Sequence, residues 1–122
     1  MKEPVCTDIK SLLPHRDPFL FVDRIVAMEW DTRVTAEKHL DPGSGFFSGH
    51  FPGHPVMPGV LVSEALAQTG GLLVGMRLKA QSGPQALDGK SVFLAGVNMK
   101  YYHPAIPGQT LRLEAVLKKE FA

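Results

Sequence analysis

The chain has a single cysteine, Cys6, which excludes an internal disulfide and a cysteine-built metal cluster and favours a reducing compartment. It has no apolar core of a signal peptide in its opening MKEPVCTDIK, so the expected location is the cytoplasm. Charge of one sign is also missing. Thirteen Lys and Arg against twelve Asp and Glu leave a formal net charge of +1, too even for a general nucleic-acid binder. Repeats and low-complexity tracts are absent, and neither GxSxG nor GxxxxGK[ST] occurs, which removes support for an α/β-hydrolase or a phosphate-loop enzyme.

Glycine and proline are in excess. The 12 Gly and 10 Pro among 122 residues exceed average usage of roughly 7% and 5%. Four of those prolines and five of those glycines crowd into residues 41–59, DPGSGFFSGHFPGHPVMPG, where regular helix or strand is not expected. With 44% hydrophobic residues, the length fits one small domain.

The rest of the chain punctuates clearly. Thr7 or Asp8 is placed to cap a short helix through Leu13, stopped by Pro14. Residues 19–30, FLFVDRIVAMEW, and 33–40, RVTAEKHL, read as two strands joined by a tight turn. After Pro58-Gly59, the run VLVSEALAQTGGLLVGMRLK reads as a helix that is apolar on every side and therefore expected to be buried all round. A run this apolar also suits a membrane span, but Glu64 and Gln68 in its middle and its paired glycines argue against insertion. Gly70, Gly71 and Gly75 each cost a helix ~1 kcal/mol relative to Ala, which implies close packing by a sheet or another backbone. A polar connection over 79–90, a strand over 91–103, a turn over 104–108 and a last strand from Leu111 to Leu117 complete an α+β pattern of four or five strands with one central helix.

Two of the five histidines, His50 and His54, lie in the Gly/Pro segment. Their spacing suggests a metal, but Pro52, Gly53 and Pro55 forbid the helix that would bring them to one face, and no third ligand is near, so neither metal nor cofactor is expected. What is left is one imidazole beside one helix carboxylate, Glu64. A carboxyl among apolar side chains resists ionisation and suits a general acid, while His50 suits the base. Gln68, four residues after Glu64, shares its helical face and can orient it. Backbone N–H groups at Gly59 and Val60, at the positive end of the helix dipole, can hold a developing oxyanion. From the residues alone, the plainer alternative also stands: an exposed loop histidine and a glutamate that caps a polar contact.

The segments LLPHRDPFLFVDRI (12–25), FFSGHFPGHPVMPGVLVSEALAQTGG (46–71) and FLAGVNMKYYHPAIPGQTL (93–111) together resemble the FabZ family of (3R)-3-hydroxyacyl-acyl carrier protein dehydratases, which have the hot-dog fold. The resemblance covers most of the chain in order. It implies an antiparallel sheet wrapped around the long helix, with His50 and Glu64 as the catalytic pair. It further implies that the Val56 carbonyl fixes the imidazole tautomer, that the Gly59 N–H binds the thioester oxygen, and that Gln68 supports the acid. His54 falls at a variable family position. Glu64 stands where the related FabA-like dehydratase-isomerases carry Asp, which favours dehydration without isomerisation to a trans-2-enoyl thioester.

The resemblance also implies a homodimer whose interface pairs His of one subunit with Glu of the other around an acyl tunnel, with hexamers as trimers of dimers. The partner is an acidic acyl carrier protein, for which Arg16, Arg77, Lys79 and Lys100 are candidate docking residues. No nucleic acid and no membrane are expected as partners. The pattern departs from the family at its C-terminus, where only Glu120, Phe121 and Ala122 follow LRLEAVLKK in place of a further strand pair. A truncation there would leave sheet edges unpaired and lower stability. Two alternatives are a non-catalytic hot-dog subunit that binds acyl thioesters or acts as a scaffold, and a hot-dog thioesterase.

Overall fold

The computed structural model describes residues 8–29, 32–88 and 102–118 of the chain. The first helix, α1, runs Ile9–Leu12 and turns both of those residues inward. Arg16 secures its end, with a guanidinium that donates to the carbonyls of Lys10, Leu13 and His15. Carbonyls at a helix C-terminus lack intrahelical partners and need such donors. Arg16 nonetheless stays exposed.

Strand β1 is Arg24–Glu29 and β2 is Arg33–His39. The strand expected from Phe19 starts five residues later, because the Phe19 carbonyl and Phe21 amide bond the Gln68 side chain instead of a neighbouring strand. β2 pairs antiparallel with β1 on one side and with β3, Thr110–Val116, on the other. The registers Ile25↔Ala36↔Leu113 and Met28↔Val34↔Ala115 align apolar residues across all three strands. Ile25, Met28, Val34, Ala36 and Leu113 are buried. A register shift between Ile25 and Ala27 leaves Val26 exposed and returns Met28 to the core face, as a bulge does.

Within the segment expected to be irregular, a one-turn helix, α2, forms over Gly45–Gly49. Aromatic burial explains this correction. Phe47 is buried in the core, and the Phe46 ring lies 4.6 Å from Phe47 and 6.3 Å from Phe21.

The long helix, α3, spans Gly59–Ser82 and packs on β2, β3 and α1. It stops at Gly83, whose φ of 91° lies in the left-handed region that glycine favours, so it continues past residue 79, where the polar connection was expected. The expectation of burial all round is corrected. Val60 is 74% exposed and Val74 is exposed as well, because the described sheet and α1 cover only part of the helix circumference. By length and composition α3 is apolar enough to cross a membrane, yet Ala65, Leu72, Leu73 and Met76 belong to the protein's own core. The expected hot-dog arrangement, an antiparallel sheet against one long helix, is what the described residues form. They include three strands where four or five were expected. The strand expected over 91–103 lies outside them but for Tyr102 and His103, which are not in a strand, and the expectation for the C-terminus concerns residues beyond Lys118.

Close packing accounts for two of the three helix glycines, and the neighbours are the α1 segment and Leu87 beyond the end of α3. A Cβ on Gly71 would lie 3.0 Å from Leu13 Cδ2, and one on Gly75 would lie 3.3 Å from both the Leu12 carbonyl oxygen and Leu87 Cδ1. Around Gly70 there is nothing within 4 Å. Gly70→Ala is therefore expected to stabilise the fold by about 0.5–1 kcal/mol through helix propensity. Gly75→Val is expected to destabilise it by about 1–3 kcal/mol through overpacking. Urea denaturation midpoints that move in opposite directions for the two variants check both.

Candidate active site

The Gly/Pro segment fixes one imidazole. His50 caps the C-terminus of α2, its amide donating to the Phe47 carbonyl at 3.3 Å. The chain then closes a turn, with Phe51 N–H donating to His54 O at 3.2 Å and His54 N–H to Phe51 O at 2.9 Å. Gly53 makes that turn possible with a φ of 73°. His54 lends its backbone to the turn while its side chain is exposed.

The Val56 amide reaches back to the His50 carbonyl at 2.8 Å, and the Val56 carbonyl lies 2.9 Å from His50 Nδ1. A carbonyl can only accept, so Nδ1 carries the proton and Nε2 keeps its lone pair. The half-buried ring is stacked on Phe51, centroids 4.1 Å apart.

The start of α3 completes this half of the site. Its N-cap is Pro58, which has no side-chain hydrogen bond to offer the first turn. The amides of Leu61 and Val62 both donate to the Pro58 carbonyl. Gly59 and Val60 open the helix where its dipole is positive. Met57 N–H donates to Ala105 O at 2.8 Å and so ties the helix start to the segment before β3. His50, Val56, Gly59, Val60, Tyr102 and Leu111 line one cavity of about 770 Å³.

One helical turn beyond Val60, Glu64 lines a different cavity, of about 550 Å³, with His15, Phe19, Gln68, Leu73 and Val74. The structure thus groups His50, Val56, Gly59 and Val60 in one place and Glu64 with Gln68 in another. Among the described residues, the cavities that His50 and Glu64 line are separate.

Gln68 is 2% exposed and both polar atoms of its amide are hydrogen-bonded. Its Nε2 donates to Glu64 Oε2 at 2.8 Å and to Phe19 O at 2.9 Å, and its Oε1 accepts from Phe21 N–H at 2.8 Å. The Glu64 side chain is 20% exposed, not sealed among apolar groups, and His15 Nε2 stands 3.4 Å from the same Oε2. The sequence reading did not single out His15. Its one signal is its place in LLPHRDPFLFVDRI, since 49 residues separate it from Glu64.

A hot-dog protein with an imidazole held in the loop before its long helix and a carboxylate in the second turn of that helix is the class that this fold and site define. The FabA-like domain model matches residues 13–121. A 3-hydroxyacyl-[acyl-carrier-protein] dehydratase FabZ from Thermomicrobium roseum is 47% identical over 113 residues, 91% of this chain and 70% of the relative. The FabZ of Anaeromyxobacter sp. (strain K) is 44% identical over 113 residues, 92% of this chain and 70% of the relative. Among solved structures, a chain of the dehydratase heterocomplex ApeI:P from Xenorhabdus doucetiae superposes with a TM-score of 0.71 at 20% identity, covering 93% of this chain and 72% of that one. The chain belongs to the FabA-like family, among its FabZ dehydratases.

The occupied amide of Gln68 sets a testable cost. Gln68→Leu would leave the buried Phe21 N–H without its acceptor and the Phe19 carbonyl without its donor. Each such group costs about 1–3 kcal/mol, so a loss of roughly 2 kcal/mol or more is expected in urea denaturation.

Proposed function

We propose that residues 1–122 form one hot-dog domain that dehydrates (3R)-3-hydroxyacyl-acyl carrier protein to the trans-2-enoyl form in cytoplasmic fatty acid biosynthesis. The observation that carries this reading is the 2.9 Å contact of His50 Nδ1 with the Val56 carbonyl, which leaves Nε2 as a base aimed from a rigid turn. The family membership supports elimination over thioester hydrolysis.

The thioester carbonyl is polarised at the start of α3 by the Gly59 and Val60 amides, where charge develops as C2 loses its proton. His50 Nε2 takes that proton, and the electron pair forms the C2=C3 double bond. Glu64 donates a proton to the C3 hydroxyl as the C–O bond breaks, so water leaves. The proton gained by His50 returns to Glu64 before the next cycle. No cofactor enters this chemistry.

Because His50 and Glu64 line separate cavities, the complete site in this reading combines His50 of one subunit with Glu64 of a second copy. Exposed Val60 and Val74 on α3 give the helix an apolar surface for that copy to cover. The acyl chain would follow the apolar wall of the Glu64 cavity, formed by Leu13, Leu73, Val74 and Leu78. Assembly of three dimers into a hexamer belongs to the same proposal, as does a carrier-docking surface that draws on Arg16, Arg77 and Lys79. Lys100, the remaining candidate, lies outside the described residues.

His50→Ala and Glu64→Ala are each expected to lower kcat for interconversion of 3-hydroxyacyl- and trans-2-enoyl-carrier protein by at least about 10²-fold. Mixing the two inactive variants under conditions that exchange subunits is expected to restore roughly a quarter of the wild-type rate. Half of randomly reassociated isologous dimers are mixed, and each mixed dimer holds one intact site of two. Full activity in His50→Ala would overturn the mechanism, and a failure of exchanged subunits to complement would overturn the shared site.

A further inference from the structure

Glu64 Oε2 is approached by two nitrogens from two different parts of the fold. Gln68 Nε2 donates to it at 2.8 Å from the next turn of α3, and His15 Nε2 lies 3.4 Å away, on the segment that follows α1. Oε1 takes part in neither contact. The His15 backbone is itself anchored, since its carbonyl accepts from Arg16 Nη1 at 2.6 Å while the same guanidinium holds Leu13 and Lys10. The other ring nitrogen, His15 Nδ1, is buried without a hydrogen-bond partner.

A buried N–H with no acceptor is costly, and a proton on Nδ1 would find none, whereas one on Nε2 faces a carboxylate oxygen. Tautomers of His15 therefore differ. Placing the proton on Nε2 gives it Glu64 Oε2 as acceptor and leaves only a lone pair at Nδ1. Any form with a proton on Nδ1 strands that proton. His15 is thus held with its Nε2–H turned toward the oxygen that Gln68 already hydrogen-bonds, 3.4 Å away. An oxygen bonded by one N–H and faced by a second is the poorer place for a proton of its own.

We infer that His15 is a positioning residue that, together with Gln68, reserves Oε2 of Glu64 as an acceptor and confines the transferable proton of the acid to Oε1. The inference rests on the dehydratase reading for its kinetic consequence and on the pairing geometry alone for its structural one. Holding the donor oxygen of an acid in place acts on the chemical step, because a proton must lie along the line to the departing hydroxyl. Substrate affinity, set by the thioester and acyl contacts, is not its target.

The test has two arms on the full chain. In steady-state dehydration, His15→Phe is expected to lower kcat about tenfold or more with KM within about twofold. His15→Gln, whose amide Nε2 can donate from a similar distance, is expected to recover most of the loss, which simple removal of bulk or loss of packing would not predict. In the second arm, imidazole ¹⁵N NMR is expected to show His15 as the Nε2–H tautomer in the wild type and as a tautomer mixture in Glu64→Leu, where the acceptor is gone. Wild-type kcat in His15→Phe, a loss that His15→Gln does not restore, or a His15 tautomer indifferent to Glu64→Leu would each overturn the inference. A tautomer coupled to Glu64 in a chain that turns over no substrate would instead retain the pairing and overturn the dehydratase reading beneath it.

Discussion

The side chain of Gln68 is the constraint on which the rest of this structure depends. It is the largest polar group buried in α3, and it is tolerated there because both of its N–H groups and its carbonyl oxygen are hydrogen-bonded at once. Two of those contacts go to backbone at Phe19 and Phe21, so the amide acts as a surrogate strand that draws the incoming chain onto the helix. The third goes to Glu64. One residue thereby sets where the sheet can begin and which way a carboxylate points. Pairing begins beyond this grip: Asp23 N–H already donates to Glu37 O, and β1 starts at Arg24.

Rigidity at the other group has a different origin. His50 is held by a closed ring of backbone and side-chain contacts within a few residues, Phe47 to Val56, and its placement owes little to distant parts of the chain. Glu64 is placed by long-range contacts, with Gln68 reaching Phe19 and His15 arriving from across the fold. Surface ion pairs such as Arg24 with Glu37 and Arg33 with Glu114 sit on exposed strand faces and add little to either.

That division explains what was legible in the sequence. Local features were readable: Pro58-Gly59 as the start of α3, the i to i+4 relation of Glu64 and Gln68, and a Gly/Pro-rich segment that presents His50. Resemblance supplied the Val56 contact, and the structure contains it at hydrogen-bond distance. The length of the first strand was misread because β propensity over 19–23 says nothing of a glutamine 47 residues later competing for the same amide. The one-turn helix α2 was missed because glycine and proline counts do not weigh the burial of Phe47 against its loop neighbours. Burial of α3 was overstated for a related reason. Hydrophobicity counts Val60 and Val74 as core residues, whereas the described sheet and α1 leave both exposed. His15 was invisible because its partner is far away in sequence.

Pro58 opens a last consequence. Helices of this length commonly begin with Ser, Thr, Asp or Asn, whose side chain folds back on the first amides and contributes about 1 kcal/mol. Proline in that place cannot do so, and the helix forgoes the contribution at its first turn. The stability of α3 therefore has to come from packing along its length, and a gain in thermal endurance is open at positions such as Gly70, far from its first turn.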